Sequence, residues 1–388
     1  MRIYFDHNAT TPLAETVTET ILATMKNHFG NASSVHSFGQ TAKSIIDAAR
    51  EKVSALIGAT PQEIVFTSGG TESNNLALRG VSGSISTNKT RLITSAIEHE
   101  AVLKTVKDLS QQRWNTSVIP VDSDGLVLPE ELEKIITSDT ALVSVMHANN
   151  EIGTIQPIKE LAEISHRHGA LFHVDAVQSA GKLPICVKTL GVDLLSLSAH
   201  KFNGPKGVGA LWVKRGLRLS PHSTGGKQER SRRAGTENVP ALSGFGVAAD
   251  IAKERLNKGS HVISQLRDRL ESGILDAVPG TLVNGTTDQR IANTTNISFD
   301  RVEAESLLIA LDLEGVAVST GSACSSGTLE PSHVLKAMGL SPHRTQSSIR
   351  FSLGLGNSQE HIDRVVEIMP RVVDRLRQLS FSGSRQKN

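Results

Sequence analysis

Residues 63–80, EIVFTSGGTESNNLALRG, place a short apolar run directly before a glycine turn and a segment of helical periodicity. The same alternation recurs along the chain in further Val/Ile/Leu-rich runs: RLITSAIEHE (91–100), ALVSVMHANNEIG (141–153), ALFHVDAVQS (170–179), DLLSLSAHK (193–201) and GVGALWV (207–213). Strands that alternate with helices predict an α/β fold with a mostly parallel sheet and helices on both faces. Continuous apolar runs are typical of strands buried on both sides.

The pattern changes after about Val239. Residues 247–275 form one long stretch of helical periodicity, whereas 293–300 and 347–354 are short apolar runs of strand length. Because helices and strands are segregated here, we expect a second, smaller α+β domain. A last helical stretch contains Pro370, which is expected to kink or split it.

A chain of 388 residues is too long for one compact core, so length also favours two domains. We assign residues 15–255 to the large domain. Residues 1–14 and 256–388 form the small domain, which carries the segment around Cys324. The tail 380–388 has no apolar face and is expected to be disordered.

Composition excludes several classes of protein. The formal net charge of +2 gives no broad electrostatic footprint for nucleic acid or an anionic membrane. No apolar run approaches the ~20 residues that cross a bilayer, and the N-terminal residues do not resemble a signal peptide. Two cysteines in a chain of this length are not a disulfide framework, so we expect a reducing, cytoplasmic environment.

The glycine turn TSGGTES (67–73) follows a strand and opens a helix. Free amides at a helix start favour a phosphate, and Ser68 and Thr71 add hydroxyl donors. An ordinary strand–helix turn explains this segment equally well and is favoured when the segment is taken alone. The turn is not a P-loop, because the Gly-Lys-Ser/Thr ending is absent.

Asp175 ends a strand in HVDAVQ (173–178). A carboxylate at this place can hold the protonated ring nitrogen of a cofactor such as a pyridinium. Gln178 follows one turn later and can donate to a ring oxygen. A helix N-cap is an equally good explanation of Asp175 from this stretch alone.

Lys201 follows a strand of buried type in LSLSAHKFNGPKG (195–207), next to His200. Desolvation at the end of an inner strand would lower the pKa of this lysine and favour an amine that reacts with an aldehyde. The alternative is a lysine that extends to the solvent at the rim of the sheet.

Five further side chains have a functional and a structural interpretation. His99 suits acid–base chemistry or stacking on a ring, although a single histidine at a strand–helix junction is more often structural. A metal site is suggested by the close spacing of His166, His168 and His173. However, these residues fall on a helix end and a strand, which orient them differently, so no metal is expected. Arg350, inside an apolar strand, needs a partner, which is either an internal acid or a substrate carboxylate.

The two cysteines differ in their surroundings. Cys186 lies between Ile185 and Val187 and is predicted to pack. Cys324 lies in VSTGSACSSG (318–327), among small residues that resist fixed packing. A mobile thiol beside a cofactor crevice favours a nucleophile over a cysteine without a role.

Taken in order along nearly the whole chain, these motifs resemble the cysteine desulfurases, pyridoxal-phosphate enzymes of the class V aminotransferase group with the type I fold of pyridoxal-phosphate-dependent transferases. The similarity is greatest to the branch that serves iron–sulfur cluster assembly and nitrogen fixation. It is carried by these segments: YFDHNATTPL, GNASSVHSFGQ, FTSGGTESNN, EHEAV, NNEIGTIQP, HVDAVQ, SAHKFNGPKG, RRAGTEN, STGSACSSGTLEPSHVL and IRFSLG.

The resemblance implies a role for each matching residue. Lys201 would carry pyridoxal 5'-phosphate, Asp175 would face the pyridinium nitrogen, and His99 would stack on the ring and move protons. Gln178 and Asn150 would surround the ring hydroxyl. The phosphate would be held by Gly70, Thr71, Ser198, His200 and, from a neighbouring subunit, Thr236, which implies a homodimer.

The resemblance also implies a substrate and a reaction. Arg350, helped by Asn31, would bind the carboxylate of L-cysteine, and Cys324 would take the substrate sulfur as a persulfide while alanine leaves. A scaffold protein of iron–sulfur cluster assembly would then accept the sulfur, with Cys324 also a possible transient iron–sulfur ligand. Small residues around Cys324 suit both capture and delivery of sulfur.

Other functions remain open at this stage. A selenocysteine lyase or an aminotransferase would share the fold, but transamination needs no thiol. A binding protein without activity would not need the complete set of chemical groups. The acceptor is open too, because a relay for tRNA thiolation and nitrogenase assembly fit the sequence as well as an iron–sulfur scaffold.

Overall fold

The computed structural model describes residues 1–85, 88–258, 261–321 and 331–384. For residues 380–384 it describes the backbone but not the side chains. Cys324 lies outside the described residues. The described helices are α1 (Glu15–Asn27), α2 (Ser37–Leu56), α3 (Gly70–Ser84), α4 (Glu100–Ser110), α5 (Pro129–Ile135), α6 (Ile158–Arg167), α7 (Val187–Leu190), α8 (Val239–Lys258), α9 (His261–Ala277), α10 (Ala304–Leu313), α11 (His333–Ala337), α12 (Pro342–Gln346) and α13 (Gln359–Ser384). Within the described ranges, none of the helices is long and apolar enough to span a bilayer.

The strands form three sheets. They are β1 (Ile3–Tyr4), β2 (Ile64–Thr67), β3 (Arg91–Ser95), β4 (Asn115–Ile119), β5 (Thr140–Met146), β6 (Leu171–Asp175), β7 (Leu194–Ser198), β8 (Gly209–Val213), β9 (Thr281–Val283), β10 (Thr294–Phe299), β11 (Val316–Ala317) and β12 (Ser348–Ser352). The largest sheet has seven strands in the order β2-β8-β7-β6-β5-β3-β4. Its strands are parallel except β8, which runs antiparallel to both neighbours. The predicted mostly parallel, mixed sheet is confirmed.

Helices cover both faces of this sheet. Successive residues of a strand point to opposite faces, and accordingly Leu142 and Val143 of β5 belong to two different apolar clusters. One cluster includes Leu76 and Val81 of α3. The other includes residues of α2, α6 and α8. The predicted α/β class with helices on both faces is therefore confirmed.

A second apolar core lies in the later part of the chain. The antiparallel sheet β12-β10-β9 packs with α9, α10 and α13, and the N-terminal strand β1 joins this core through its parallel pairing with β11. Ile3 and Phe5 are buried there with Ile297 and Phe351. This separate core agrees with a small α+β domain. The boundaries at residues 15 and 255 stay a prediction.

Three local predictions need correction. Pro370 does not split the last helix, because α13 continues through it to Ser384; the alternative, a kink at this residue, stays a prediction. Its neighbours Met369 and Val373 are fully buried, and this packing outweighs the local cost of a proline. Because α13 reaches Ser384, residues 380–384 of the tail are helical and not disordered as expected. Residues 385–388 lie outside the described residues. The stretch 247–275 contains parts of two helices rather than one.

Candidate active site

The strands β5, β6 and β7 are parallel neighbours whose carboxyl ends meet at one edge of the sheet. A cavity of about 550 Å³ opens at this edge, where ligands bind in open α/β sheets. Ten residues identified from the sequence line it: Gly70, Thr71, His99, Asn150, Asp175, Gln178, Ser198, His200, Lys201 and Arg350.

Lys201 lies in a short 3-10 turn, Ala199–Lys201, directly after β7. Its amine donates to the backbone oxygens of Asn8 at 2.6 Å and Ala9 at 2.9 Å. Burial, and then the charge of Arg350, lower the pKa of Lys201 to about 8. Near neutral pH this amine is therefore uncharged, and so nucleophilic, more often than the amine of an ordinary lysine.

Asp175 closes β6 and is 5% exposed. Its Oδ2 accepts a 2.6 Å hydrogen bond from the side-chain amide of Asn74, and its Oδ1 accepts from the backbone of Val177 at 3.0 Å. A turn rather than a helix follows at 177–179, so the helix-cap interpretation is wrong. These two donors fix the orientation of the buried carboxylate at the edge of the sheet.

His99 is the N-cap of α4, where its Nδ1 accepts from the backbone of Ala101 at 3.0 Å. Burial lowers the pKa of His99, although Asp175 opposes this effect. Because Nδ1 accepts, the neutral ring carries its proton on Nε2. The structural and the chemical interpretations therefore hold together, since the ring caps a helix and lines the cavity.

The start of α3 forms one end of the cavity. Gly69 has a φ of 153°, and a Cβ on Gly70 would approach Cγ2 of Val177 to 2.7 Å. The first amides of a helix lack partners within that helix and point out of its N-terminus. Ser198 and His200 line the cavity with this turn. Together they form a polar pocket that suits a phosphate.

Arg350 is held on β12 and is 4% exposed. Its Nη2 donates to Oδ1 of Asp6 at 2.6 Å, and its Nη1 donates to the backbone oxygen of Asn150 at 2.9 Å. Its buried Nε has no acceptor among the described atoms. The internal partner that we considered is therefore Asp6, and the guanidinium still has N–H capacity for an anion in the cavity.

Two predicted site residues, Asn31 and Thr236, do not line the cavity. Asn31 is exposed, and its Oδ1 accepts from the backbone of Ser33 at 2.9 Å. Thr236 is also exposed. Cys324 lies outside the described residues, but Gly321 and Pro331 line the cavity. The segment that contains this cysteine therefore leaves and rejoins the described chain at the cavity.

The three histidines whose spacing suggests a metal site do not converge on one point. His166 contacts Asp193 at 2.7 Å, and His168 lies near Glu133. His173 lies between the hydroxyls of two buried serines, Ser144 and Ser196. Within the part of the chain that is described, no three His, Cys, Asp or Glu side chains group in a metal-binding arrangement.

Several further cavity residues escaped prediction from the sequence, among them Asn8, Asn74, Glu151 and His333. The position of Asn74, four residues after Gly70 on the same helix face, was a usable signal. Glu151 is 2% exposed, accepts from the hydroxyl of Ser332 at 2.5 Å and has a pKa raised by burial. No local pattern marks it, because its partner is distant in the chain.

Residues 3–365 match the family model of the class V aminotransferases, and the chain belongs to this family. Cysteine desulfurase IscS of Methanosarcina thermophila is 48% identical over 378 residues, which cover 97% of this chain and 93% of that protein. Cysteine desulfurase IscS of Dictyoglomus turgidum is 47% identical over 97% of this chain and 96% of that protein.

Solved structures agree with this assignment. A NifS-like protein superposes with a TM-score of 0.91 at 39% identity, covering 97% of this chain and 100% of that chain. A NifS-like protein from Rickettsia africae gives a TM-score of 0.86 at 36% identity, covering 96% and 100%. The resemblance and the type I fold predicted from the sequence motifs are confirmed.

Proposed function

We propose that this protein is a cysteine desulfurase that uses pyridoxal 5'-phosphate to convert L-cysteine to L-alanine and transfers the sulfur to Cys324. The observation that carries the proposal is the meeting of three groups in one cavity: the Lys201 amine, the buried Asp175 carboxylate and the Arg350 guanidinium. The relatives named cysteine desulfurase IscS, at 48% and 47% identity over nearly the whole chain, support it.

The groups around the cavity fit the coenzyme. The free amides at the N-terminus of α3 suit the phosphate. This turn needs a glycine at position 70, because a Cβ there would collide with Val177. Asp175 suits the pyridinium nitrogen, and Lys201, with a pKa of about 8, suits the aldehyde. When bound, the coenzyme supplies an electron sink for the bonds at the substrate α-carbon.

The side chains of the protein supply binding and proton transfer. Arg350 binds the cysteine carboxylate with its remaining N–H groups. His99 lines the cavity as a neutral ring whose Nε2 exchanges a proton with the substrate. The thiolate of Cys324 takes the substrate sulfur: the carbon–sulfur bond breaks, a sulfur–sulfur bond forms, and protonation of the carbon gives alanine. Cysteine and thiol thus become alanine and persulfide, with no external oxidant.

A homodimer completes the proposed site. Thr236 is exposed on its own chain, which suits a phosphate contact to the site of a second copy. An apolar surface formed by Phe29, Val35 and Phe38 is available for that contact. These side chains are 77%, 91% and 56% exposed, and the two phenyl rings stack at 5.4 Å. Asn31 lies next to this surface, and its help to Arg350 stays a prediction.

The persulfide passes to an acceptor protein, for which we propose a scaffold of iron–sulfur cluster assembly in the cytoplasm. The chain has two cysteines in 388 residues, a composition that suits a reducing compartment. The identity of the acceptor does not affect the chemistry at Lys201 and Cys324.

Sulfide and alanine release from L-cysteine tests the proposed function. The purified protein should be yellow, borohydride should bleach it, and Lys201→Ala should prevent covalent attachment of the coenzyme. Cys324→Ser should keep the colour of the wild type and lose sulfide release. Cys186→Ser is the matched control, because it removes the other cysteine of the chain and should release sulfide normally.

Two results would contradict the proposal. Full sulfide release by Cys324→Ser would remove the assigned nucleophile. Equal or better turnover of selenocysteine without any need for Cys324 would indicate a selenocysteine lyase.

A further inference from the structure

A second lysine amine lies beside the site, at Lys182. This residue follows Gln178 by four positions, and its Nζ donates to Oε1 of Gln178 and to Oδ1 of Asn8, both at 2.9 Å. Burial, together with the charges of Lys201 and Arg350, lowers the pKa of Lys182 well below its usual value. Neither the family assignment nor the proposed reaction gives this amine a role.

Asn8 links the two lysines. Its backbone oxygen accepts from Lys201 at 2.6 Å and from Nε2 of Gln178 at 2.9 Å. Its side-chain oxygen accepts from Lys182 and also from Asn293 at 3.0 Å. Its side-chain NH₂ group donates to two further acceptors, the backbone oxygen of Asn150 and Oγ1 of Thr294. Asn8 is therefore fixed from several sides, with one amine on its backbone and one on its side chain.

The chemistry of an amine determines the orientation of Gln178. An ammonium group donates only, and an uncharged lysine amine has two N–H bonds, one for each oxygen that it contacts here. The oxygen of the Gln178 amide therefore faces Lys182, and its NH₂ group donates one N–H to the backbone oxygen of Asn8. Gln178 also lines the cavity, so the second N–H is the one that a ligand there could use. Without Lys182, the amide oxygen loses its donor, and only the backbone oxygen of Asn8 still favours this orientation over the reverse one, in which oxygen and nitrogen exchange places.

We propose that Lys182 is a positioning residue, whose amine orients Gln178 so that an N–H donor rather than an oxygen faces the cavity beside Lys201. Burying an amine costs free energy that an apolar side chain of the same length would avoid. A role in packing alone does not explain this cost. The value of the oriented donor to the coenzyme rests on the proposed function, but the orientation itself is present without coenzyme.

The first experiment is independent of the coenzyme. Full-length protein labelled with ¹⁵N in the glutamine side chains is stripped of coenzyme, and Gln178→Leu identifies the Gln178 signal. In Lys182→Met this signal should move, and its NH₂ protons should exchange on the order of fivefold faster, the factor expected for one lost hydrogen bond. Lys188→Met is the matched control, because Lys188 is an exposed lysine nearby, and it should leave the signal unchanged.

The second experiment uses the coloured holoenzyme. The pH midpoint of its colour change is measured for Lys182→Met, Gln178→Leu and the double variant. Both single variants should move the midpoint in the same direction, and the double variant should move it no further than Gln178→Leu alone. This lack of additivity separates an action through Gln178 from general damage to the fold.

The outcomes are distinct. An unchanged Gln178 signal in Lys182→Met overturns the proposal, and so do additive shifts of the colour midpoint. If Lys182→Met does not fold, Lys182→Gln replaces it: a Gln178 signal like that of the wild type would overturn the proposal, because an amide at 182 no longer dictates direction. A colourless wild-type protein with a Lys182-dependent Gln178 signal would refute the proposed function and leave the orientation established.

Discussion

The side-chain amide of Asn74 donates to Oδ2 of Asp175 at 2.6 Å and so joins α3 to the end of β6. Asp175 is 5% exposed, so loss of this donor would leave a buried carboxylate oxygen without its side-chain partner. In Asn74→Leu we expect coenzyme affinity to fall by about 10- to 100-fold, since hydrogen bonds to charged groups contribute about 1.5–3 kcal/mol. Titration of coenzyme-free protein, followed by absorbance, measures this affinity.

Asn75→Ala is the matched control for this variant. Asn75 is the next residue of the same helix, and its side chain bonds to Thr71, Arg79 and Thr105 rather than to Asp175. Its coenzyme affinity should stay within about twofold of the wild type, because it leaves the donor to the carboxylate in place. Equal losses in both variants would mean that the helix, not the Asn74 amide, supports the site.

The glycine at the start of α3 gives a second prediction. A Cβ on Gly70 would lie 2.7 Å from Cγ2 of Val177, so Gly70→Ala should displace the turn that faces the phosphate. We expect weaker binding of pyridoxal phosphate and little change for pyridoxal, which lacks the phosphate. Val177→Ala removes the methyl group in question, so the double variant should recover part of the lost affinity. Equal weakening for both compounds would refute this explanation.

The sheet and the edge that carries the cavity were predictable from the sequence, because both follow from local patterns. Short apolar runs determine the strands, and the polar residues that end them, such as Asp175 and Lys201, meet because parallel neighbours end together. The cap interpretation of Asp175 failed because nothing in HVDAVQ decides between a turn and a helix.

The parts that escaped prediction depend on contacts between distant parts of the chain. Arg350 pairs with Asp6, 344 positions away, and Lys182 contacts Asn8 across 174 positions. No periodicity or spacing encodes such pairs. The course of α13 through Pro370 is of the same kind, since the small-domain core rather than local preference determines it.

The segment before Thr236 gives a prediction about stability. Three successive residues, Glu229, Arg230 and Ser231, have left-handed φ values of 45°, 57° and 62°. This conformation costs roughly 1–2 kcal/mol per residue. The carboxylate of Glu229 accepts from both terminal nitrogens of Arg50 at 2.7 Å and from the backbone of Phe66 at 2.9 Å. This buried pair holds the strained turn in place.

Glu229→Gln should therefore lower the free energy of unfolding by about 3–5 kcal/mol, because it leaves the buried guanidinium without its charge partner. Asp250→Asn is the control, since it breaks the exposed ion pair between Asp250 of α8 and Lys52, which lies on α2 like Arg50. It should cost at most about 1 kcal/mol. Urea unfolding of both variants measures the difference. Similar losses would mean that Arg50 finds another acceptor.

Glu98, next to His99, gives a prediction about pH. It is 0% exposed, and burial, with a smaller effect of Asp175, raises its pKa to about 8. Its Oε1 accepts from Ser95 at 2.5 Å and from the backbone of Met146 at 2.8 Å, whereas its Oε2 has no partner among the described atoms. The native protein therefore keeps a proton on this carboxyl at pH values where the unfolded chain has released it.

The sign of the pH effect follows from this raised pKa. Between pH 4.5, the ordinary pKa of a glutamate, and about pH 8, the native state binds one proton more than the unfolded state, so the wild type loses stability as pH rises.

Glu98→Gln keeps the shape of the side chain but removes the group that titrates. Its stability relative to the wild type should therefore increase by about 1.4 kcal/mol per pH unit within this window and level off above it. Urea midpoints of both proteins at five pH values measure the difference. A constant difference across the window would mean that Glu98 is ionised in the native protein.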